Sequence, residues 1–289
     1  MRYNTLAIHN IISDLEDLTM KKVLALILAV LMIATLFVAC DSDDKKDDNK
    51  GDAKKTTVAT TTEAPDEENK PVLKMGTNAE FPPYEYYEND KIVGIDAEIA
   101  KAIADKLGMK LEIVDMKFDS ILTSVQSGGV DMGVAGLTIT DERLESVNFS
   151  VSYATGVQVV IVKEGSGITS LDDLAGKKIG VQLATTGDIY ASDEFGDENV
   201  VKYNKGADAV QALVGGGIDA VIIDNEPAKS FVSNNDGLVI LETEYAVEEY
   251  AIAVDKSNTE LLKKINKAIE ELIEDGTIDA IMDKYIKAE

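Results

Sequence analysis

In the segment GLTITDER, residues 136–143, a glycine ends an apolar run, threonines follow at 138 and 140, and Arg143 stands behind an acidic pair. A guanidinium presents a planar fork of N–H donors that matches a carboxylate with two parallel bonds. Elsewhere, Asp224 closes the apolar run of GGGIDAVIID at 215–224, and Phe81 and Phe118 each follow a strand-like segment. One cation, one anion, several hydroxyls and two aromatic faces are the groups that a zwitterion with a side chain requires. Each also has a plainer assignment. Arg143 could form a surface ion pair with Asp141 or Glu142, Asp224 could cap a helix ahead of Glu226 and Pro227, and the phenylalanines could be ordinary core.

What the chain lacks narrows the chemistry. Its 289 residues include one histidine, His9, one cysteine, Cys40, and no tryptophan. Met20, Lys21 and Lys22 form a basic head, and residues 23–39 an apolar run of signal-peptide length, so translation is expected to start at Met20 and His9 to fall in a leader. The folded part then has no histidine triad, thiol nucleophile, disulfide or Cys/His metal site, whereas carboxylate and lysine chemistry stays open. The net charge of -25, from 53 acidic and 28 basic residues, repels phosphate backbones and argues against nucleic acid as a partner. No GxxxxGK[ST] loop occurs, and the GSG at 165–167 lacks the continuation of a dinucleotide loop, so no cofactor is expected.

Holding these groups in place requires a body, which the composition confines to the C-terminal three quarters. Residues 1–40 read as a leader ending in Phe37-Val38-Ala39-Cys40, which resembles a bacterial lipobox with Cys40 lipidated; a plain membrane anchor is the alternative. Residues 41–71 are rich in Asp, Lys, Thr and Glu and read as a disordered charged tether. Beyond them strands and helices alternate. A strand is expected at 72–77, a helix at 96–107 with Ile95, Ile99, Ile103 and Leu107 on one face, a strand at 110–114, a helix at 118–126 and a strand at 131–135. Such alternation indicates α/β layers with a mostly parallel sheet.

SGGVDMGVAG at 127–136 is echoed by GGGIDAVIID at 215–224, aligning Gly129 with Gly217 and Asp131 with Asp219, as two similar lobes would require. Open α/β sheets bind ligands beyond the carboxyl ends of their strands. Those ends are Asn78 to Phe81, Thr138 to Arg143, Gln182 to Thr186, and Asp224.

The whole body resembles the family 3 solute-binding proteins of bacterial ABC importers, in their polar-amino-acid branch. The resemblance runs through GTNAEFPPYEY at 76–86, GIDAEIAKAIADKLG at 94–108, the segment 118–143, VQLATTGDIYA at 181–191, IDAVIIDNEPA at 218–228 and a helical tail at 260–286. Ala97 departs from the larger residue usual in the helix signature, and Asn78 stands where many members have Asp. The resemblance implies a two-lobed, periplasmic-binding-protein-like α/β fold with two crossover strands, near 153–157 and 246–250. Lobe 1 would comprise 72–153 plus 250–289, and lobe 2 residues 157–246.

By the same resemblance Phe81 and Phe118 line a side-chain slot. Gly136, Thr138 and Arg143 hold the ligand carboxylate with Thr185 and Thr186, Asp224 holds the amino group, and Asn78 and Leu137 join the ligand-binding set. PPYE at 82–85 and VQLATTGD at 181–188 are similar to arginine-binding members. A guanidinium between the two phenylalanines could be met by Gln182 with Glu85, or with Glu80 as rival. If Glu85 faces solvent instead, a neutral ligand such as glutamine fits equally well.

The implied role is an extracytoplasmic, lipid-anchored receptor at the cell surface or in the periplasm. It would be a monomer that delivers a free amino acid to ABC permease subunits and performs no reaction. A dehydratase resembling cyclohexadienyl dehydratases is the competing class; Asp224 would repel the extra carboxylate of its substrate.

Overall fold

The computed structural model describes residues 70–286, so the leader with His9 and Cys40 and almost all of the expected tether lie outside the described residues. The first lobe opens with β1 (Val72–Thr77), whose Leu73 and Met75 are fully buried. Three short antiparallel strands follow: β2 (Glu80–Phe81), β3 (Glu85–Glu88) and β4 (Lys91–Val93). Gly94 turns the chain into α1 (Ile95–Lys106). Its φ is +123°, and a Cβ there would sit 2.2 Å from the Tyr84 carbonyl oxygen, so no other residue fits. Along α1, Ile95, Ile99 and Ile103 recur every four residues and are fully buried, each stabilising the lobe by roughly 1.5–3 kcal/mol.

The strand β5 (Lys110–Asp115) runs parallel to β1 over its full length, from Val72↔Lys110 to Thr77↔Asp115. The helix expected at 118–126 divides into a 3₁₀ turn, Phe118–Ser120, and α2 (Ile121–Gln126), a tightening common at helix starts. The strand expected at 131–135 is laddered only over β6 (Met132–Gly133). Val134 still donates to the Gly76 carbonyl, and the chain then departs at Gly136, where φ is +52°. The lobe continues with α3 (Asp141–Ser146) and β7 (Val147–Phe149).

A ten-residue strand, β8 (Ala154–Lys163), carries the chain into the second lobe. There β9 (Ile179–Gln182), α4 (Thr186–Phe195), β10 (Val200–Tyr203), α5 (Gly206–Gly215), β11 (Ala220–Asp224), α6 (Asn225–Ser233) and β12 (Leu238–Ile240) alternate. The chain returns on β13 (Ala246–Tyr250), antiparallel to β8 from Ala246↔Gln158 to Tyr250↔Ala154. It re-enters the first sheet as β14 (Ala253–Asp255), and α7 (Thr259–Glu274) and α8 (Thr277–Tyr285) pack Ile265, Ile269, Leu272 and Ile278 against the α1 isoleucines.

The sheet orders are β5-β1-β6-β14-β7 and β10-β9-β11-β8-β12, with β13 on β8. The α/β-connected strands are parallel, as the alternation of elements demands. β8 runs antiparallel to β11, β12 and β13, and β14 antiparallel to β6 and β7, so each of these two sheets is mixed rather than mostly parallel. Two strands passing between the sheets in opposite directions produce this result.

The internal echo has a structural basis. After α2, Gly128 is left-handed (φ +73°) and Gly129 N donates to Ser124 O; after α5, Gly216 is left-handed (φ +76°) and Gly217 N donates to Ala212 O. Asp131 then accepts from Lys74 N at 2.7 Å, and Asp219 from Lys178 N at 2.8 Å. Each aspartate pins the start of its own strand to the neighbouring one.

Where the crossover strands meet, a Cβ on Gly156 would lie 2.3 Å from the buried Tyr250 ring. Gly156→Ala is therefore expected to displace that ring and destabilise the protein by about 1–3 kcal/mol. Thermal unfolding of the variant checks this, and an unchanged Tm would mean that the ring has room.

Candidate functional site

A single cavity is lined by Asn78, Phe81, Glu85, Phe118, Gly136, Thr138 and Arg143 from the first lobe and by Gln182, Thr185, Thr186 and Asp224 from the second, with Ala135 beside them. Eleven of the twelve residues expected from the sequence thus converge; Leu137 does not. Its side chain is 1 % exposed and packs with Ile121, Val125 and Val147, and its carbonyl accepts from Ala251 N.

Arg143 is aimed by its own helix start. Thr140 is extended, its hydroxyl accepts from Arg143 N at 3.1 Å, and the arginine enters the first turn of α3 with 7 % exposure. Its Nη1 donates to Thr138 O at 2.8 Å, and its Nη2 donates across the cleft to Ala184 O at 3.1 Å. The guanidinium carbon lies 5.6 Å from the centre of the Phe118 ring. Of a guanidinium's five N–H groups, these bonds leave three for a ligand. The surface ion pair that the neighbouring acids suggest is not what holds it. Burial pushes its pKa down, and the charge of Glu248 pushes it back.

Facing it, Ala184 adopts φ +65°, held by its N–H donating to Asp188 Oδ2 at 2.9 Å. Asp188 is buried and paired with Lys202 at 2.9 Å. Thr185 caps α4 and donates to Gln182 O at 2.8 Å. The first turn of α4 thus meets the cavity beside Arg143, and a helix N-terminus favours an anion.

Asp224 ends β11 and precedes α6 but makes no capping bond to it. Its carboxylate instead accepts the Tyr250 hydroxyl in a short hydrogen bond. Burial, then the charge of Glu248, push its pKa up to about 7. Glu85, 1 % exposed, lies against Asp96 and close to Asp224; burial and the Asp96 charge raise its pKa well above the usual carboxyl range. Asp96 accepts from Gly136 N at 2.8 Å and from the Tyr153 hydroxyl at 2.9 Å, and burial still raises it. Glu85 therefore lines the cavity rather than facing solvent, across from the wall of the second lobe.

That wall is closed by Gln182, whose amide donates to Asn78 Oδ1 at 2.9 Å across the cleft and to Asn204 O at 3.3 Å. Both its hydrogens are engaged, so its carbonyl oxygen is what it offers a ligand. Asn78 in turn donates to Met116 O at 3.0 Å. Glu80, the rival of Glu85, does not line the cavity and is paired with Lys205 of the opposite lobe. Phe81 is half-buried and packs against the cores of both lobes. A Cβ at Gly136 would approach its ring to 3.1 Å.

Sequence reasoning missed Asp96, Gln158 and Glu248, which stand just behind the lining. Glu248 is 4 % exposed and accepts from Thr138 Oγ1 at 3.0 Å and from Gln158 Nε2 at 3.1 Å. The signal was available in AVEEY: Ala246, Glu248 and Tyr250 alternate onto one strand face, and Tyr250 belongs inside. Among the described residues no group of His, Cys, Asp or Glu could hold a metal ion.

Residues 73–288 match the family described as bacterial extracellular solute-binding proteins, family 3. The chain is 38% identical over 233 residues to the arginine-binding extracellular protein ArtP of Bacillus subtilis (strain 168), a match covering 77% of this chain and 89% of that protein. It is 32% identical over 222 residues to the L-cystine-binding protein TcyJ of Escherichia coli (strain K12), covering 75% and 84%. Among solved structures it is similar to the arginine-, lysine-, histidine-binding protein ArtJ of Geobacillus stearothermophilus. That match has 39% identity and a TM-score of 0.72, and covers 75% of this chain and 96% of that one.

Proposed function

The chain belongs to the family 3 bacterial extracellular solute-binding proteins, and from that premise we propose that it captures a basic, arginine-like amino acid for delivery to an ABC permease. Its relatives are amino-acid-binding proteins of such transporters, and their named ligands include arginine, histidine and cystine. The observation that carries the reading is Arg143 and Asp224 facing one cavity from two lobes. Arg143's free N–H groups and the start of α4 take the α-carboxylate, with the Thr186 hydroxyl, whose hydrogen is free while that of Thr185 is held by Gln182 O, and Asp224 takes the α-ammonium. A ligand so held ties the lobes together. In the hinge reading, residues 72–153 plus 250–289 close on 157–246 about β8 and β13.

Preference for a cation rests on the surrounding charge. Buried carboxyl groups at Glu85, Asp96, Asp224 and Glu248 outnumber Arg143, the one buried cation among the described residues; burial favours the neutral acids at Glu85, Asp96 and Asp224, and a ligand cation beside them favours their ionised forms. The Gln182 carbonyl adds an acceptor, and Phe81 and Phe118 offer ring faces to a guanidinium, a contact worth about 0.5–2 kcal/mol. Cys40 as lipid anchor, an extracytoplasmic location and a monomeric state complete the proposal.

Calorimetry of the purified protein against the amino acids is the test. Arginine is expected to bind at one site with Kd near or below about 1 μM, or -8 kcal/mol, and prephenate to be left unconverted. Glutamine binding as tightly as arginine would remove the basic preference, and turnover of prephenate would replace the receptor with an enzyme.

A further inference from the structure

Glu248 lies outside the cavity lining yet is wired to it from both sides. Its Oε2 accepts the Thr138 hydroxyl at 3.0 Å and the Gln158 amide at 3.1 Å, while its Oε1 is buried without a partner. Gln158 also reaches the Thr186 hydroxyl at 3.5 Å. Thr138 and Thr186 line the cavity from opposite lobes, so one carboxylate on a crossover strand organises a hydroxyl of each.

A hydroxyl carries a single hydrogen. The bond to Glu248 engages that of Thr138, which leaves Thr138 an acceptor toward the cavity rather than the carboxylate donor expected from the sequence. The negative charge behind it is felt at Arg143, at Asp224 and at the Tyr190 phenol, whose pKa burial and Glu248 together push up to about 12. A zwitterion adds no net charge to this field, whereas a cationic side chain does.

We propose that Glu248 is a specificity-determining residue: its fixed charge, held one side chain behind the wall by Thr138 and Gln158, makes the cavity prefer a cationic amino acid to a neutral one of the same shape. The inference rests on the basic-amino-acid reading above. A buried charge set one side chain behind the wall interacts with a cation in the cavity strongly enough to shift such a preference roughly tenfold.

The experiment compares arginine with citrulline, its neutral isostere, by calorimetry on the purified protein and its variants. The wild type is expected to prefer arginine strongly. Glu248→Gln should lower the arginine-to-citrulline affinity ratio about tenfold, mainly through arginine. Glu248→Asp keeps the charge and loses reach, so both affinities should fall while the ratio stays. Glu249→Gln, on the exposed face of the same strand, should leave the ratio unchanged.

If Glu248→Gln binds both ligands more weakly by the same factor, its role is structural and the proposal fails. Should that variant not fold, a collapsed ratio in Glu248→Asp overturns the proposal equally. A wild type that binds citrulline as well as arginine defeats the basic-amino-acid reading itself, and the inference with it; a wild-type preference that survives in Glu248→Gln defeats the inference alone.

Discussion

Arg143→Ala is expected to weaken the binding of every amino acid by at least about a hundredfold, because charge-assisted bonds to the α-carboxylate contribute roughly 1.5–3 kcal/mol each. The loss extends beyond the ligand. The carbonyls of Thr138 and Ala184, now satisfied by Nη1 and Nη2, would lose their donor, and Glu248 would face no buried cation. One of those carbonyls lies in each lobe, so the empty variant should also close less readily. Arg143→Lys should recover little, since an ammonium on a flexible stem cannot hold two carbonyls and a carboxylate in one plane. Calorimetry with several amino acids checks the claim, with circular dichroism to confirm the fold. Binding retained within about tenfold would show that the carboxylate is held elsewhere.

The fold was legible wherever one periodicity acted alone. Ile95, Ile99 and Ile103 define α1, and VLKMGT defines β1, because local pattern and tertiary burial agree there. The paired GGxD turns were legible for the same reason: a left-handed glycine and a strand-pinning aspartate are both local requirements. What the residues did not display was the reversed direction of β8 and β14, since a buried strand reads alike in either direction. The ladder of β6 also ends sooner than its apolar run, because Gly136 must turn under the Phe81 ring.

The site was legible at its charges and less so behind them. Asp224 stands at the carboxyl end of a buried strand and Arg143 in the first turn of the helix that follows another, the region where open α/β sheets bind ligands. Leu137 shows the limit of transferring a whole motif, for the turn that presents Gly136 and Thr138 to the cavity sends the side chain between them into the core. Glu248, Gln158 and Asp96 were hidden because hydrophilic residues on a strand or at a helix start look solvent-facing. For Glu248 the alternation with Tyr250 is the one local sign of an inward side chain, whereas for Gln158 and Asp96 the three-dimensional packing against Glu248 and Tyr153 reveals it.

The second large effect concerns pH and centres on Asp224. The groups facing it are the charge of Glu248, the Tyr250 hydroxyl, Tyr84, the carboxyl of Glu85 and, across the cavity, Arg143. With its pKa raised to about 7 by burial and Glu248, Asp224 binds a proton more tightly in the fold than in the unfolded chain; Glu85 and Asp96 are raised in the same direction. The unliganded protein therefore holds extra protons between about pH 4 and pH 7. Its stability is greatest at the acid end of that window and falls as pH rises through it, by up to about 1.4 kcal/mol per pH unit for each such group.

Ligand binding works the other way. An α-ammonium needs the ionised Asp224, so binding below pH 7 must expel its proton, and affinity should rise about tenfold per unit from pH 5 to 7 before levelling. Thermal unfolding of the free protein and calorimetry in two buffers of different ionisation enthalpy read both trends. Asp224→Asn should flatten the stability slope by its own share and remove the proton release while weakening binding about a hundredfold. Affinity unchanged between pH 5 and 8 would mean that the ammonium is paired with a group already ionised, and Asp224 would then be a structural partner of Tyr250 alone.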